Sequence, residues 1–443
     1  MNKSSGSSGS GMPRRRFLQS VGGGVFVAAF SAIIPSSVFG ATSPGKRINI
    51  GCIGVGRKGL GDMDHALKPK DKTRVVAVCD LDSNRAAAAR DRVNKFYGDQ
   101  GCTAIEDFRE LIARKDIDAV VVSTPDHWHA IPAIEAAKAG KAVFIQKPLA
   151  LTIAEGRAIS DAASKNKTVF QVGSQQRSNK HFEVACRLVR EGKIGQVTEI
   201  EVGLGTDPGC GVEPAMPVPK NLNYDFWLGQ APLAEYTEKR VHPQVGYDRP
   251  GWLRIRDYGA GMITGWGAHH IDIAHWGMGL ERSGPISVEG WGKFPESGLW
   301  NVHGDFDLTY RYANGVSMRV ADMSKLKNGV RFKGTEGTIY VDRATLEATP
   351  AKILENEDLV GKKGLSDDDD QAHMDNFVDA IRDGVPTRTD AEIAHRSCTA
   401  CLIGAIVMEL GRKVQWDSEK EQFVNDPEAD AKRARVLRAP WSL

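Results

Sequence analysis

From Lys46 onward, short apolar runs alternate with segments whose apolar residues recur at helical spacing. The runs are Ile48–Ile53, Arg74–Asp80, Ala119–Thr124 and Ala142–Ile145. Between them, Ser83–Phe96, Phe108–Arg114 and Ile131–Ala139 carry the helical period, and Gly140 closes the last. Apolar strands without alternation are buried on both faces. The pattern therefore predicts a parallel sheet with helices on both sides. A further helix over Ile153–Lys165, a strand over Thr168–Val172 and an amphipathic helix over His181–Glu191 follow.

Beyond Gly192 the pattern changes. Val197–Gly203, Ile286–Trp291, Asp305–Tyr312, Val316–Met323, Arg331–Gly334 and Thr338–Asp342 alternate or run as strands. Ala313-Asn314-Gly315 supplies a tight hairpin between two of them. Strands in hairpin order predict a second, α+β domain on an open, mostly antiparallel sheet. The segment Asp207–Arg256 is rich in Gly, Pro, Tyr and Trp and too long for an idle loop, so it is expected to wrap a cleft. The acidic run Ser366–Asp370 reads as a solvated loop before a helix over His373–Arg382, and Ala391–Arg412 reads as a long helix.

The first strand leads into Gly54-Val55-Gly56-Arg57-Lys58-Gly59. In a G-x-G-x-x-G at a strand-to-helix junction, the first glycine allows a tight turn. The second admits a pyrophosphate close to the backbone, and the third lets helix pack on strand. The helix N-terminus then faces the phosphates. The second strand ends in Asp80, about twenty residues on, where a ribose-binding carboxylate belongs. This is the pattern of a Rossmann dinucleotide-binding domain, so the fold class is α/β. Asp80 accepts from a free ribose 2′-hydroxyl and repels a 2′-phosphate. That favours NAD over NADP, with Arg85 near enough in sequence to keep NADP open.

The chain has 443 residues, 58 Lys+Arg against 56 Asp+Glu, and a formal net charge of +2. No basic stripe with interleaved aromatics suggests nucleic acid as a partner. Residues 1–11 are Ser/Gly-rich and expected to be disordered. Arg14-Arg15-Arg16-Phe17-Leu18 then precedes an apolar, Gly-rich run from Val21 to Ile34, and small residues end near Gly40-Ala41. This is the anatomy of a signal peptide cleaved near residues 40–41, with paired arginines of the twin-arginine type. It predicts export to the periplasm through the twin-arginine machinery. No other segment reads as apolar enough to cross a bilayer. Among the seven cysteines, Cys52 and Cys79 sit on core strands, and Cys398-Thr-Ala-Cys401 lies in a helical pattern, so core packing is expected.

Three stretches carry candidate chemistry. Ser123-Thr124-Pro125-Asp126-His127-Trp128-His129 lies at the carboxyl end of a strand, the edge where such sheets bind ligands. Gln146-Lys147-Pro148 ends the next strand. Gly259 to Trp276 begins rich in glycine and opens a helix that puts His269, Asp272 and Trp276 on one face. His269, His270, His303 and Asp272 are of types that suit zinc or manganese, but no tight spacing argues for a metal. Trp227, Trp252 and Trp266 are candidates for stacking on sugar faces or for core packing.

Together these motifs resemble the glucose–fructose oxidoreductase / inositol dehydrogenase / MocA family. The G-x-G-x-x-G, the Thr-Pro followed by His129, Lys147-Pro148 and the Gly-rich His269-x-x-Asp272 occur in the family's order. The resemblance implies NAD(P)-linked hydride transfer at a sugar or glycoside hydroxyl. It implies Lys147 and His269 as catalytic residues. It places Gly54, Gly56, Arg57, Gly59, Asp80, Thr124, Pro125, His129, Gln146 and Lys147 at the cofactor. Lys147, Trp266, His269, His270 and Asp272 fall at the substrate. It also implies a homo-oligomer built on the open sheet face. Two departures stand out: Gln146 replaces the usual Glu, and Gly265 sits where the family has Asp. Losing two carboxylates should lower the pKa of Lys147 and His269 relative to family members that keep those acids. The expected domains are residues 46–165 for cofactor binding and 166–425 for substrate and oligomerisation with returning C-terminal helices. Residues 426–443 are expected as a tail.

Overall fold

The computed structural model describes residues 47–355, 357 and 367–443. The expected signal peptide and its cleavage site lie outside the described residues. The first sheet has six strands: β1 (Ile48–Ile53), β2 (Thr73–Cys79), β3 (Thr103–Ile105), β4 (Ala119–Val122), β5 (Ala142–Ile145) and β6 (Phe170–Val172). They run in the order β3-β2-β1-β4-β5-β6, and every neighbouring pair is parallel. Strand order therefore reverses between β1 and β4. Their C-terminal ends part there and leave the crevice in which open parallel sheets bind ligands.

Residue 165 was expected to end this domain. β6 lies beyond it and hydrogen-bonds to β5 at the edge of the same sheet. The C-terminal half returns as well. Helix Asp367–Asp383 places Met374, Phe377 and Val378 in one core with Ile48, Val75 and Phe144. The acidic run is accordingly not a solvated loop. Asp367–Asp370 begin that helix, Asp369 is buried, and Asp370 Oδ2 accepts from Lys58 Nζ at 3.0 Å. The partners of these acids come from distant sequence, which a local charge pattern does not reveal.

The second sheet has nine strands: β7 (Val197–Leu204), β8 (Ser287–Gly292), β9 (Phe306–Arg311), β10 (Ser317–Asp322), β11 (Gly329–Gly334), β12 (Thr338–Val341), β13 (Leu346–Thr349), β14 (Val414–Asp417) and β15 (Gln422–Phe423). Their order is β13-β12-β11-β7-β10-β9-β8-β14-β15, antiparallel except between β7 and β10. The expected hairpin joins β9 and β10, with Gly315 at φ 85°. Ile200, Val202, Leu308 and Val320 bury one face. The other face carries crossed ion pairs, including Lys333–Glu201 at 2.6 Å and Arg319–Asp307 at 2.7 Å.

Helix Ala391–Leu410 has the length and apolarity of a membrane span, although no span was expected beyond the N-terminal run. Here it is a core helix, with Ala400, Cys401, Ile403 and Val407 fully buried. All seven cysteines are free, and Cys398 and Cys401 pack in this helix.

Arg157 fastens helix Ile153–Lys165 to the start of Ala391–Leu410. It donates to Glu392 at 2.8 and 3.0 Å and to Glu421 at 2.9 and 2.7 Å. Burial raises the Glu392 pKa, but hydrogen bonds from Arg157, Ser160 and Arg396 outweigh it and hold the carboxyl at about 2, against an ordinary 4.5. A depressed carboxylate stabilises the fold above its unfolded pKa, and that contribution disappears as pH falls through the folded pKa. The urea midpoint should therefore fall as pH drops from about 4.5 toward about 2. Glu392→Gln should make that fall shallower, and an unchanged slope would exclude Glu392 as its source.

Candidate active site

The glycine turn closes tightly on the neighbouring strand end. Gly54 sits at φ 81°, and a Cβ there would lie 2.8 Å from the carbonyl carbon of Ser123. Only glycine meets both conditions without strain. A Cβ on Gly59 would lie 2.0 Å from the Gly54 oxygen, so helix Arg57–Leu67 can start this close to β1 only without a side chain there. Gly59 supports the turn from behind, whereas Gly54, Gly56 and Arg57 line the cleft.

Asp80 ends β2 facing this turn. Its Oδ2 accepts from Val55 N at 2.9 Å and its Oδ1 from Asp82 N at 3.0 Å. Each oxygen keeps a lone pair for a further donor. Burial raises its pKa, with His242 and Arg85 acting against that. Arg85 also lines the cleft, but its Nη2 donates to Pro243 O at 2.9 Å and its guanidinium lies 4.7 Å from the Tyr247 ring centroid. It is held by the Asp207–Arg256 segment, which wraps the cleft as expected and contributes His242, Arg249 and Trp252 to its walls. Thr124 Oγ1 is buried at the cleft with no hydrogen-bond partner among the described residues. A turn that admits no Cβ at Gly54 or Gly59, a carboxylate with spare acceptors and an orphaned hydroxyl fit a dinucleotide held by Gly54–Gly59, Asp80 and Thr124.

The cleft encloses about 560 Å³ and continues past Pro125 to Lys147, Trp266 and His269. Lys147 Nζ donates to the Gly265 carbonyl oxygen at 2.8 Å. Burial pulls its pKa down to about 8, opposed by the charge of Asp126 and helped by Arg343, Lys58 and Arg249. The main cause of this fall from the ordinary lysine value is desolvation. His269 is driven well below its ordinary value by burial and then by Lys147 and Arg343, so its imidazole is neutral.

The two departures have structural settings. Gln146 Nε2 donates to Asp62 Oδ1 at 3.0 Å, and Ser123 Oγ donates to Asp62 Oδ2 at 2.7 Å. A glutamate at 146 would set a second carboxylate against Asp62, which is 2 % exposed, and like charges that close are strongly unfavourable. The amide at 146 and the acid at 62 therefore belong together. At Gly265 nothing lies within 4 Å of a Cβ, so space does not exclude an acid. A different carboxylate faces Lys147 instead. Asp126, on the Thr124–His129 stretch, lines the cleft, and burial raises its pKa to about 7 with Lys147 acting against this.

Several expected site residues stand elsewhere. His129 braces two strand ends, with Nδ1 2.7 Å from Pro148 O and Nε2 3.0 Å from Thr124 O, and does not line the cleft. His270 turns toward β7, its Nδ1 3.2 Å from Gly203 O. Asp272 lies one helical turn past His269, beyond the cleft, in a bidentate pair with Arg177 at 2.7 and 2.8 Å. Helical spacing correctly put His269 and Asp272 on one side of helix Gly267–Met278, but the cleft reaches only its first turn. Trp266 and Trp227 both line the cleft, but Trp227 is 4 % exposed and is packed against His127 and Tyr258. His303 accepts from Ile263 N at 3.1 Å. Among the described residues no three His, Cys, Asp or Glu side chains gather as a metal site.

The sequence reading missed Asp126 as an acid, the Lys58–Asp370 pair across the cleft mouth, and Arg343. The strand-end position of Asp126 was the only signal available. Asp370 and Arg343 reach the cleft from segments with no recognisable motif.

Comparison with known proteins agrees with this geometry. Residues 48–174 match the NAD-binding Rossmann fold of the GFO/IDH/MocA oxidoreductase family, and residues 208–443 match that family's C-terminal alpha/beta domain. An inositol 2-dehydrogenase of Salmonella paratyphi B is 32% identical over 150 residues, 34% of this chain and 43% of that protein. A glycosyl hydrolase family 109 protein of Shewanella pealeana is 31% identical over 157 residues, 34% of this chain and 33% of that protein. The chain thus spans less than half the length of these curated relatives. The fold is shared with the WlbA dehydrogenase of Chromobacterium violaceum, solved with NADH and UDP-GlcNAcA. There the TM-score is 0.65 at 19% identity, over 85% of this chain and 98% of that one. Levoglucosan dehydrogenase, solved with NADH and levoglucosan, gives a TM-score of 0.60 at 21% identity, over 84% and 99%. Two matched domains spanning most of the chain, and a glycine turn and acid placed as a dinucleotide requires, make this protein a member of the Gfo/Idh/MocA oxidoreductase family with an NAD-binding Rossmann domain.

Proposed function

We propose that the chain is an NAD(H)-linked oxidoreductase acting on a secondary hydroxyl of a sugar or glycoside. The observation that carries this is Lys147, a desolvated amine in the same cleft as the glycine turn and Asp80. When bound, the nicotinamide supplies hydride acceptance. Lys147 takes the hydroxyl proton at Nζ, the Gly265 carbonyl orients that amine, and Asp126 tunes its charge. Neutral His269 and Trp266 position the sugar, the indole offering an apolar face. Asp80 supports NAD over NADP, because a 2′-phosphate would meet a carboxylate.

The match to glycosyl hydrolase family 109 proteins favours a second reading, a redox-neutral cleavage by oxidation, elimination and return of the hydride. The proposed export through the twin-arginine route also favours it, since a cycle that regenerates its own cofactor needs no cytoplasmic supply. A homo-oligomer through the charged open sheet face belongs to the same proposal. The test begins with protein purified without added nucleotide. Bound cofactor is released and identified, and native protein is offered a panel of glycosides while reduced nicotinamide is followed by absorbance. Reduction that persists supports the dehydrogenase, and transient reduction with glycoside cleavage supports the hydrolase. If no nucleotide is bound or taken up, both readings fail. Sugar binding without any change in nicotinamide or sugar would point to a catalytically inactive binding protein.

A further inference from the structure

Arg343 follows β12 and reaches the substrate end of the cleft, beside Trp266 and His269. Its guanidinium carbon lies 4.5 Å from the Trp266 ring centroid. With its amide oxygen turned toward this arginine, Gln176 accepts from Nε at 3.3 Å and donates to the His269 carbonyl oxygen at 3.3 Å. Stem and one face are thus held, while the two terminal nitrogens have no hydrogen-bond partner and no carboxylate at ion-pair distance among the described residues. The other cations around this end are committed. Lys58 pairs with Asp62 at 3.2 Å and Asp370 at 3.0 Å, Arg249 pairs with Asp207 at 2.9 Å, and Lys147 donates to Gly265. Arg343 is partly desolvated, and burial lowers its pKa despite the opposing charge of Asp370. The two terminal nitrogens are therefore free to donate to an anion that enters the cleft, and partial desolvation strengthens such a pair.

We infer that Arg343 and Trp266 form an anion subsite that takes a carboxylate carried by the sugar, so that the substrate class is a uronic acid or its glycoside rather than a neutral sugar. The inference rests on the oxidoreductase reading for the sugar but not for the anion. A stacked guanidinium with a free edge offers two parallel N–H donors in one plane, which pair bidentately with a carboxylate, and the phosphate that the same fork would also accept is the competing arm of the test. Burial, helped by the positive charges of Lys147 and Arg343, keeps His269 neutral, so that the ring presents an acceptor beside the bound sugar. A carboxylate on Arg343 would be oriented before the hydroxyl meets Lys147.

The test measures equilibrium binding to the NAD-loaded protein by calorimetry, with matched pairs: methyl glucuronide against methyl glucoside, and methyl galacturonide against methyl galactoside. Glucose 6-phosphate serves as the phosphate arm. At least one uronide should bind about 10- to 100-fold more tightly than its neutral partner, the range for a charge-assisted pair. Arg343→Gln should erase that ratio while NAD affinity stays unchanged, and Arg343→Lys should keep only part of it. Equal affinity within every pair, including no binding of either member, overturns the subsite. So does an equal loss for both members in Arg343→Gln, or a loss of NAD affinity in that variant. Tighter binding of glucose 6-phosphate than of any uronide overturns the carboxylate assignment. The two readings fail separately. Arg343-dependent uronide binding without any nicotinamide reduction leaves the subsite and removes the oxidoreductase. Reduction by neutral sugars with no uronide preference does the reverse.

Discussion

Replacing Lys147 with methionine should lower kcat for sugar oxidation by about 10²- to 10⁴-fold, the usual contribution of a positioned acid or base. NAD binding should persist, because the glycine turn, Asp80 and Thr124 are untouched. Methionine keeps the apolar stem and removes the amine. The size of the effect follows from the protonation state. With burial pulling its pKa down to about 8, a far larger share of Lys147 is neutral near neutral pH than of an ordinary lysine. The oxidation rate should therefore rise with pH and level off above about 8. Lys147→Arg keeps a charge but cannot serve as a base, so it should be as inactive as the methionine variant. Stopped-flow reduction of bound nicotinamide across pH gives both readouts. A methionine variant with the wild-type pH limb would show that another group is the base, and Asp126, held near about 7, would be the first to examine.

The second large effect concerns stability. Asp272→Asn should destabilise the fold by about 3–5 kcal/mol, because it strands Arg177 in the core without its main partner. Arg177 is 3% exposed and Asp272 1% exposed at the side chain, and the guanidinium would keep one acid among the described residues, Glu281 at 2.7 Å, beside the Arg388 carbonyl oxygen and the Trp276 ring. Urea unfolding at neutral pH measures the loss. Replacing both members, Arg177→Met with Asp272→Leu, should recover much of it, since an apolar pair of similar volume escapes the desolvation cost. If Asp272 held substrate, as its place after His269 suggested, the asparagine variant would instead raise KM and leave the unfolding midpoint in place.

The contrast between His269 and Asp272 shows how far local pattern reaches. Both lie on one helix, three residues apart, and the sequence assigned both to the substrate. Their difference is about 4.5 Å along the helix axis, enough to take one out of the cleft. Gln146 makes the complementary point. As a departure from the family pattern it looked like a lost acid, yet beside Asp62 it is the residue that avoids a buried like-charge pair.

By itself the sequence determined the parts that depend on local chemistry. Unbroken apolar runs specified the parallel strands, and the spacing of the glycines specified a turn that admits no Cβ at Gly54 or Gly59. An acid just after β2 and a lysine just after β5 were bound to reach the carboxyl edge of the sheet, because strand ends point there. Tertiary structure alone decided the charges that work across the chain. Asp126 against Lys147, Asp62 against Gln146, Asp370 against Lys58 and Arg343 against Trp266 are brought together by packing. Burial and neighbouring charge set protonation, and both are sums over residues far apart in sequence, so no local pattern encodes them.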